Sequence, residues 1–319
     1  RFDTPDGYVP ANLNHPRGGF HNDDDSGHGV LDAYGATAES VNTYFVQLIE
    51  RTGVIPVADM AGRLGISSLP RTGKRAITRR DASLTLGAYE VSPLELAAVY
   101  ATFAAHGRAC RPVVIRSLTL VDGTKVAPPS AECRQVLSPA VADTVSSVLT
   151  GTFGPGGTAS GLALEGRPAA GKTGTTNNSG ATWFAGYTPQ LAAAVWVGDP
   201  RGPVYGLSDV TAYGRTFATV YGGTIAGPVW RDAMTRLHAR LPVRAFPRVD
   251  PSVLVGATPA LPDVRGLARD AAITALLEAG YRVKVDPRTA GPDALLAAGA
   301  VAAQSPAPGT PVGPGATVT

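Results

Sequence analysis

Three apolar and hydroxyl-rich runs, residues 172–176, 182–187 and 191–197, follow one another with only short connections. They constrain the fold more than any other part of the chain. Their β-branched and aromatic content at this length predicts strands. The link Thr188-Pro189-Gln190 is too short for a crossover, so the last two must pair antiparallel. Helix signals lie on either side. Ser92-Pro93-Leu94-Glu95 is a capping box with proline at the first helical position, predicting a helix that stops at Gly107. Ser138-Pro139 opens another that runs to about Thr150, and residues 228–237 predict a closing helix. Earlier, Val41, Phe45, Leu48 and Ile49 share one face at helical spacing. Helices combined with a late antiparallel sheet define an α+β domain. The first thirty-odd residues, rich in Gly, Pro, Asn and Asp, read as a surface loop.

The first of the predicted strands carries more than a strand needs. In Ala169-Ala170-Gly171-Lys172-Thr173-Gly174-Thr175-Thr176, Lys172 supplies a cation and Thr173 and Thr175 supply hydroxyl donors. On a strand bordering a cleft, that set suits a substrate carboxylate. Gly174 has no side chain, so substrate is able to lie against the backbone. The triplet alone is a weak signal, which an exposed turn with a solvated lysine would equally satisfy. The flanking hydroxyls and the aromatic run Trp183-Phe184-Ala185-Gly186-Tyr187 favour a site, with Trp183 and Trp196 expected in the sheet core. Far upstream, Ser40-Val41-Asn42 forms a second polar cluster. A hydroxyl both donates and accepts, so Ser40 suits passing a proton to a departing amine, and the Asn42 amide suits a peptide backbone. A helix N-cap serine and a local Asx turn are the plainer alternatives. Within one helix the two side chains would point about 200° apart, so Ser40 must lie in the entering loop if both face one cleft.

Ser-x-Asn and Lys-Thr-Gly in this order are two of the three short motifs of penicillin-acylating serine hydrolases. The surrounding wording points the same way. Val41-Asn42-Thr43-Tyr44-Phe45-Val46-Gln47-Leu48, Arg63-Leu64-Gly65-Ile66 and Glu90-Val91-Ser92-Pro93-Leu94-Glu95-Leu96-Ala97 resemble the transpeptidase domain of class A penicillin-binding proteins. So do Tyr100-Ala101-Thr102-Phe103-Ala104, Val195-Trp196-Val197-Gly198 and Tyr221-Gly222-Gly223-Thr224, and the likeness spans residues 10–237. It implies the penicillin-binding, serine β-lactamase-like α+β fold and D-alanyl-D-alanine transpeptidation of peptidoglycan stem peptides. β-Lactams are the implied inhibitors. It implies catalytic roles for Ser40, Asn42 and Lys172, and substrate binding by Thr173, Gly174 and Thr175. The Thr175 N–H would form half of an oxyanion hole. No cofactor is expected.

One motif is missing. The residues three before Lys74, Lys125, Lys172 and Lys284 are Arg71, Asp122, Ala169 and Tyr281, so the sequence holds no Ser-x-x-Lys. The nucleophile is therefore expected upstream, in a longer protein whose membrane anchor also precedes this chain and holds it outside the cytoplasm. A second departure is Ala181-Thr182 before Trp183-Phe184, where the family has Asp-Ala. Two rivals remain at this point: a D,D-carboxypeptidase or β-lactamase on the same fold, and a non-catalytic wall-binding protein.

Pro242, Pro247, Pro251 and Pro259 punctuate a predicted linker, giving units 1–240 and 259–319 separated by residues 241–258. The second unit has Leu261-Pro262-Asp263-Val264-Arg265-Gly266-Leu267, a helical run over 268–279 stopped by Gly280, and a strand over 281–285. It is similar to a PASTA module, a small β-α-β-β fold, whose last strand is expected to fray. That likeness implies contact with muropeptides or cell wall.

A net charge of +3, scattered along the chain, gives no footprint for nucleic acid. The Asp23-Asp24-Asp25 run between His21 and His28 reads as a solvated loop, without ligand-spaced scaffolding for a metal. Cys110 and Cys133 flank Asp122-Gly123, a hairpin signal between two β-branched runs. The arms of that hairpin would bring the sulfurs together, and a disulfide there would stabilise by roughly 3 kcal/mol in an oxidising compartment. Two separately buried thiols are the alternative.

Overall fold

A computed structural model describes residues 1–202, 204–249, 261–279, 281–286, 299–310 and 317–319. The chain divides into two compact units, Arg1–Val249 and Asp250–Thr319. The opening segment is not the loop its composition suggests. Strand β1 (Phe2–Thr4) pairs with β4 (Gly29–Leu31), and β2 (Gly7–Tyr8) pairs with β3 (Phe20–His21), both antiparallel. Phe2 and Phe20 stand alone among polar residues, so no period betrays them, yet both are buried. Asn22 secures the turn between them. Its amide nitrogen donates to the carbonyls of Pro5 and Ser26 at 3.2 and 2.8 Å.

Asp32 caps α1 (Ala33–Glu39), accepting from the N–H groups of Tyr34 and Gly35. α1 stops at Ser40, whose backbone turns left-handed with φ 64°. α2 (Asn42–Thr52) starts two residues on, and α3 (Val54–Leu64) follows it. The Asn22 Oδ1 accepts from the backbone N–H and hydroxyl of Thr43 at 3.1 and 3.2 Å, so a distant side chain does the work of a local cap. Of the face expected from Val41, Phe45, Leu48 and Ile49, the first three pack on one cluster and Ile49 joins another. Val46 and Ile49 enter one cluster with Val54, Ala58 and Leu69, while Val41 and Tyr44 enter another with Phe2 and Ala36. A helix wedged between two cores is apolar on two sides, which blurs a one-face pattern.

α4 (Pro93–Ala104) has the full capping box between Ser92 and Glu95, and ends three residues before Gly107. The arm that follows is a nested hairpin. β5 (Arg108–Ala109) pairs with β8 (Arg134–Gln135), and within it β6 (Leu118–Thr119) pairs with β7 (Lys125–Val126). Cys110 and Cys133 occupy the rung next to Ala109 and Arg134 and are disulfide-bonded. α5 (Pro139–Thr150) begins at the Ser138 cap as the sequence predicts.

The central sheet contains β9 (Ala170–Thr175), β10 (Ala181–Tyr187) and β11 (Ala192–Gly198) in the order β11-β10-β9, all antiparallel. β9 is therefore an edge. On one face, Phe184 packs with Trp230 and Met234 of the closing helix. On the other, Ala170 and Tyr187 pack with Leu149, Tyr100 and Phe103 from α5 and α4. A hairpin, β12 (Ser208–Ala212) and β13 (Arg215–Thr219), precedes that closing helix, α6 (Ala226–His238). Trp196 is not a core residue: it lies opposite Trp183 in the register and is 38% exposed. Residues 241–249, read from sequence as the start of a linker, are held against this unit. Arg167 donates to the carbonyls of Leu241 and Pro242 and to Gln190, and Phe246 packs edge-on against Tyr187.

The departure at Ala181-Thr182 has a cost. Thr182 is fully buried, and its hydroxyl has no hydrogen-bond partner among the described residues. An orphaned buried hydroxyl destabilises by about 1–3 kcal/mol. Thr182→Val, which keeps the shape and removes the hydroxyl, is therefore expected to raise the melting temperature by a few degrees. Thr182→Ser, which keeps the hydroxyl and loses the methyl, should lower it. Thermal denaturation of the two variants checks this.

The second unit has α7 (Arg269–Glu278) and β14 (Arg282–Val283), which pairs in parallel with β15 (Thr317–Val318). Leu261, Val264, Ala272, Leu276, Tyr281 and Val318 form its core. The last strand is paired at its end: Val318 is buried, and Thr319 exchanges two 2.8 Å backbone hydrogen bonds with Ser305. The Gly280 stop and residues 250–260 lie outside the described residues. Among those described, no helix is long and apolar enough to cross a membrane.

Candidate active site

The two polar clusters of the sequence meet in space. Lys172 Nζ donates to Ser40 Oγ at 2.7 Å, joining edge strand β9 to the junction between α1 and α2. Ser40 occupies a left-handed position outside both helices, which resolves the opposed-direction problem that one continuous helix would have posed. Lys172 is half-buried and also donates to the carbonyl and hydroxyl of Thr173 at 3.2 and 3.3 Å. Burial disfavours its ammonium and brings its pKa down to about 8. At neutral pH the group remains mostly a cation, and it is an easily discharged one.

Asn42 is brought to the same junction, where one N–H of its amide is committed. It donates to the His21 carbonyl at 2.9 Å, which ties the start of α2 to β3. The Thr175 end of β9 is held by a tight loop. The Thr175 hydroxyl accepts from the Gly222 N–H at 3.1 Å, which leaves the Thr175 proton to point elsewhere. Gly222 sits so close that an added Cβ would lie 2.4 Å from the Trp183 carbonyl and 2.7 Å from that of Gly174. Gly174 in turn lies opposite Trp183, whose Cβ would stand 3.2 Å from any side chain there. Its lack of a side chain is thus needed for packing as well as for an open edge.

Sequence reasoning gave no role at the site to three residues that shape it: Thr158, Gly222 and Asn22. Thr158 accepts from the Thr173 hydroxyl at 2.8 Å. The only local hint was the turn-forming run Gly154-Pro155-Gly156-Gly157 before it. Glu39, next to Ser40, meets His28 at 2.8 Å, and His28 also meets Asp24 at 3.3 Å. Burial pulls the His28 pKa down, but hydrogen bonds to Glu39 and Asp24 outweigh it and raise the group overall. The acidic loop is therefore pinned by ion pairs. Among the described residues no group of three or more His, Cys, Asp or Glu is placed to hold a metal.

A half-buried lysine beside a serine at an open strand edge, backed by threonine hydroxyls, gathers a cation and hydroxyl donors of the kind that suit an anion. Comparison with known proteins identifies the family. Residues 2–234 match the penicillin-binding protein transpeptidase domain and residues 259–319 match the PASTA domain, and the chain belongs to the former family. It is 29% identical over 238 residues to penicillin-binding protein 1A of Aquifex aeolicus, covering 75% of this chain and 30% of that protein. A namesake in Clostridium acetobutylicum is 33% identical over 182 residues, covering 57% of this chain and 22% of the relative. The chain thus spans less than a third of the length of these curated relatives. Among solved structures, the PonA1 protein from Mycobacterium tuberculosis in complex with penicillin V is similar, with a TM-score of 0.63 and 27% identity. That match covers 78% of this chain and 68% of the other.

Proposed function

We propose that the chain is the Lys-Thr-Gly half of a peptidoglycan D-alanyl-D-alanine transpeptidase that β-lactams inhibit. The observation that carries this reading is the 2.7 Å bond from Lys172 Nζ to Ser40 Oγ beside the open edge of β9. In the reaction, a serine hydroxyl adds to the carbonyl of the penultimate D-alanine of a stem peptide. The tetrahedral intermediate expels the terminal D-alanine, and the resulting ester is then opened by an acceptor amine. Ser40 passes the proton to the departing amine. Lys172 and the threonine hydroxyls hold the terminal carboxylate, and Gly174 leaves room for the peptide along the edge. Asn42, oriented by the His21 carbonyl, addresses the peptide backbone, and the Thr175 N–H faces the oxyanion. A penicillin carries a carboxylate and an acyl carbonyl in the same relation, so it enters the same site.

The sequence contains no Ser-x-x-Lys, so the nucleophile is assigned to a segment outside residues 1–319. The unit at 259–319 is assigned to muropeptides or cell wall, and the whole protein to the outer face of the membrane, anchored through a segment outside this sequence. Fluorescent penicillin should label a polypeptide in which this chain follows its Ser-x-x-Lys segment, and leave the chain by itself unlabelled. Covalent label mapped to any serine of residues 1–319 would overturn the assignment of the nucleophile. No label on the longer polypeptide would overturn the function.

A further inference from the structure

The arm between α4 and α5 carries apolar side chains and has no core to put them in. Every residue from 111 to 130 is exposed, Val113, Val114, Ile115, Leu118 and Leu120 among them. Strands β6 and β7 stiffen the outer end, and the Cys110–Cys133 disulfide closes the base. Between these two points the chains do not match. The Arg111 N–H donates to the Ala131 carbonyl at 2.7 Å, and the next rung is Leu118 with Val126. Over that interval the outgoing chain runs through 112–117 and the return chain only through 127–130. The return chain includes Pro128 and Pro129, which have no N–H to give to a ladder. Val113-Val114-Ile115 is therefore left alone. It runs without turn or bend as far as Arg116, and among the described residues none of its backbone groups is hydrogen-bonded. β-Branched residues favour the extended chain, so this is a strand-forming run without a neighbour.

Charge says what would pair with it. The acids of the arm are engaged: Glu132 meets Arg111 at 3.2 Å, and Asp122 accepts from the Thr124 N–H at 2.9 Å. Arg116, at the end of the run, and Lys125 in β7 have no ion-pair partner among the described residues. A second copy of the chain would bring the same cations and be repelled, whereas a strand bearing carboxylates is attracted. In strand addition the main chain supplies affinity and alternate side chains supply selection. We infer that Val113–Ile115 is a docking edge for an acidic, extended segment of a partner protein, which adds to the arm as a β-strand and sets a carboxylate on Arg116. This edge stands apart from the Lys172 site and from the activity assigned to it.

The probe is a fluorescein-labelled hexapeptide that alternates glutamate and valine, with lysine in place of glutamate as the control. Both are titrated against this chain and followed by anisotropy. The glutamate peptide should bind at least about tenfold more tightly than the lysine peptide, and should slow hydrogen exchange at the amides of residues 113–115. Val114 is 94% exposed and its N–H has no partner among the described residues. Val114→Pro should therefore leave the melting temperature unchanged and weaken the glutamate peptide about tenfold or more. Arg116→Glu should reverse the preference toward the lysine peptide. Lys172→Ala should bind as the parent does. No binding of the glutamate peptide by the parent, or undiminished binding by Val114→Pro, overturns the proposal. Loss in Lys172→Ala with retention in Val114→Pro would put the peptide on β9 and also overturn it. Sedimentation showing dimers of the parent and monomers of Val114→Pro would make a second copy the occupant. Capture of the parent on phosphatidylglycerol vesicles without peptide binding would make it a lipid surface. Either result overturns the proposal.

Discussion

Replacing Lys172 with alanine, in a polypeptide that joins this chain to its nucleophile, should slow β-lactam acylation by about 100-fold or more. That is the loss expected when a charged group acting on the transition state is removed from a partly dry cleft. Stability should not fall with it. The Lys172 ammonium is disfavoured by burial, so its removal takes away a cost as well as the hydrogen bonds to Ser40 and Thr173. Acylation within a few-fold of the parent would refute the anchor role. The pH dependence follows from the same burial. The folded pKa of about 8 lies below the ordinary lysine value, so this group costs stability fully below pH 8. That cost is relieved as pH rises from 8 toward the unfolded value of about 10.4. Anion binding runs the opposite way. Reversible penicillin affinity should be flat below pH 8 and fall above it, approaching tenfold per unit, and the decline should be absent from Lys172→Ala.

Trp230→Ala should be the most destabilising single change in the first unit, by about 3–5 kcal/mol. The indole is fully buried, with ring centroids 4.9 Å from Phe184 and 6.0 Å from Phe153. Its Nε1 donates to the Gly186 carbonyl at 3.1 Å, so truncation leaves a cavity and also removes that hydrogen bond. A Cβ at Gly186 would sit 2.8 Å from the indole, and that fit leaves no slack for collapse into the hole. Trp230→Phe, which keeps most of the volume and loses the donor, should cost less. Denaturant unfolding of both variants provides the check, and a loss under about 1 kcal/mol for the alanine variant would contradict the packing described.

The sheet and the two capped helices were legible because their signals are local. β9, β10 and β11 begin and end within about two residues of the runs that predict them, and the Ser92 and Ser138 caps fix the starts of α4 and α5. The opening strands were not legible. Phe2 and Phe20 are single apolar residues, and what orders the segment between them is the Asn22 side chain reaching Thr43. The site was half legible. Ser40 and Lys172 are named by motif, and the structure brings them together. Thr158 and Gly222 depend on the approach of loops to the Thr173 and Thr175 hydroxyls of β9, which leaves no periodic trace. Trp196 misled because aromatic residues in a strand usually face a core, whereas this one is the outer member of a cross-strand pair.

The grip of Arg167 on residues 241 and 242 also fixes where mechanical load enters the first unit. A pull arriving along the chain from beyond Val249 meets the Phe246–Tyr187 contact first and then the Arg167 guanidinium, which is itself braced by Gln190 in the turn between β10 and β11. In the sheet register that turn lies beyond the Tyr187–Ala170 pair, at the opposite end of β9 from Thr175. At about 3.4 Å per residue, the five steps from Ala170 to Thr175 separate the loaded corner from the far end of the site by about 17 Å. Under the proposed function, tension on the tail would therefore be spent on a corner of the scaffold, and the edge assigned to the carboxylate would keep its geometry.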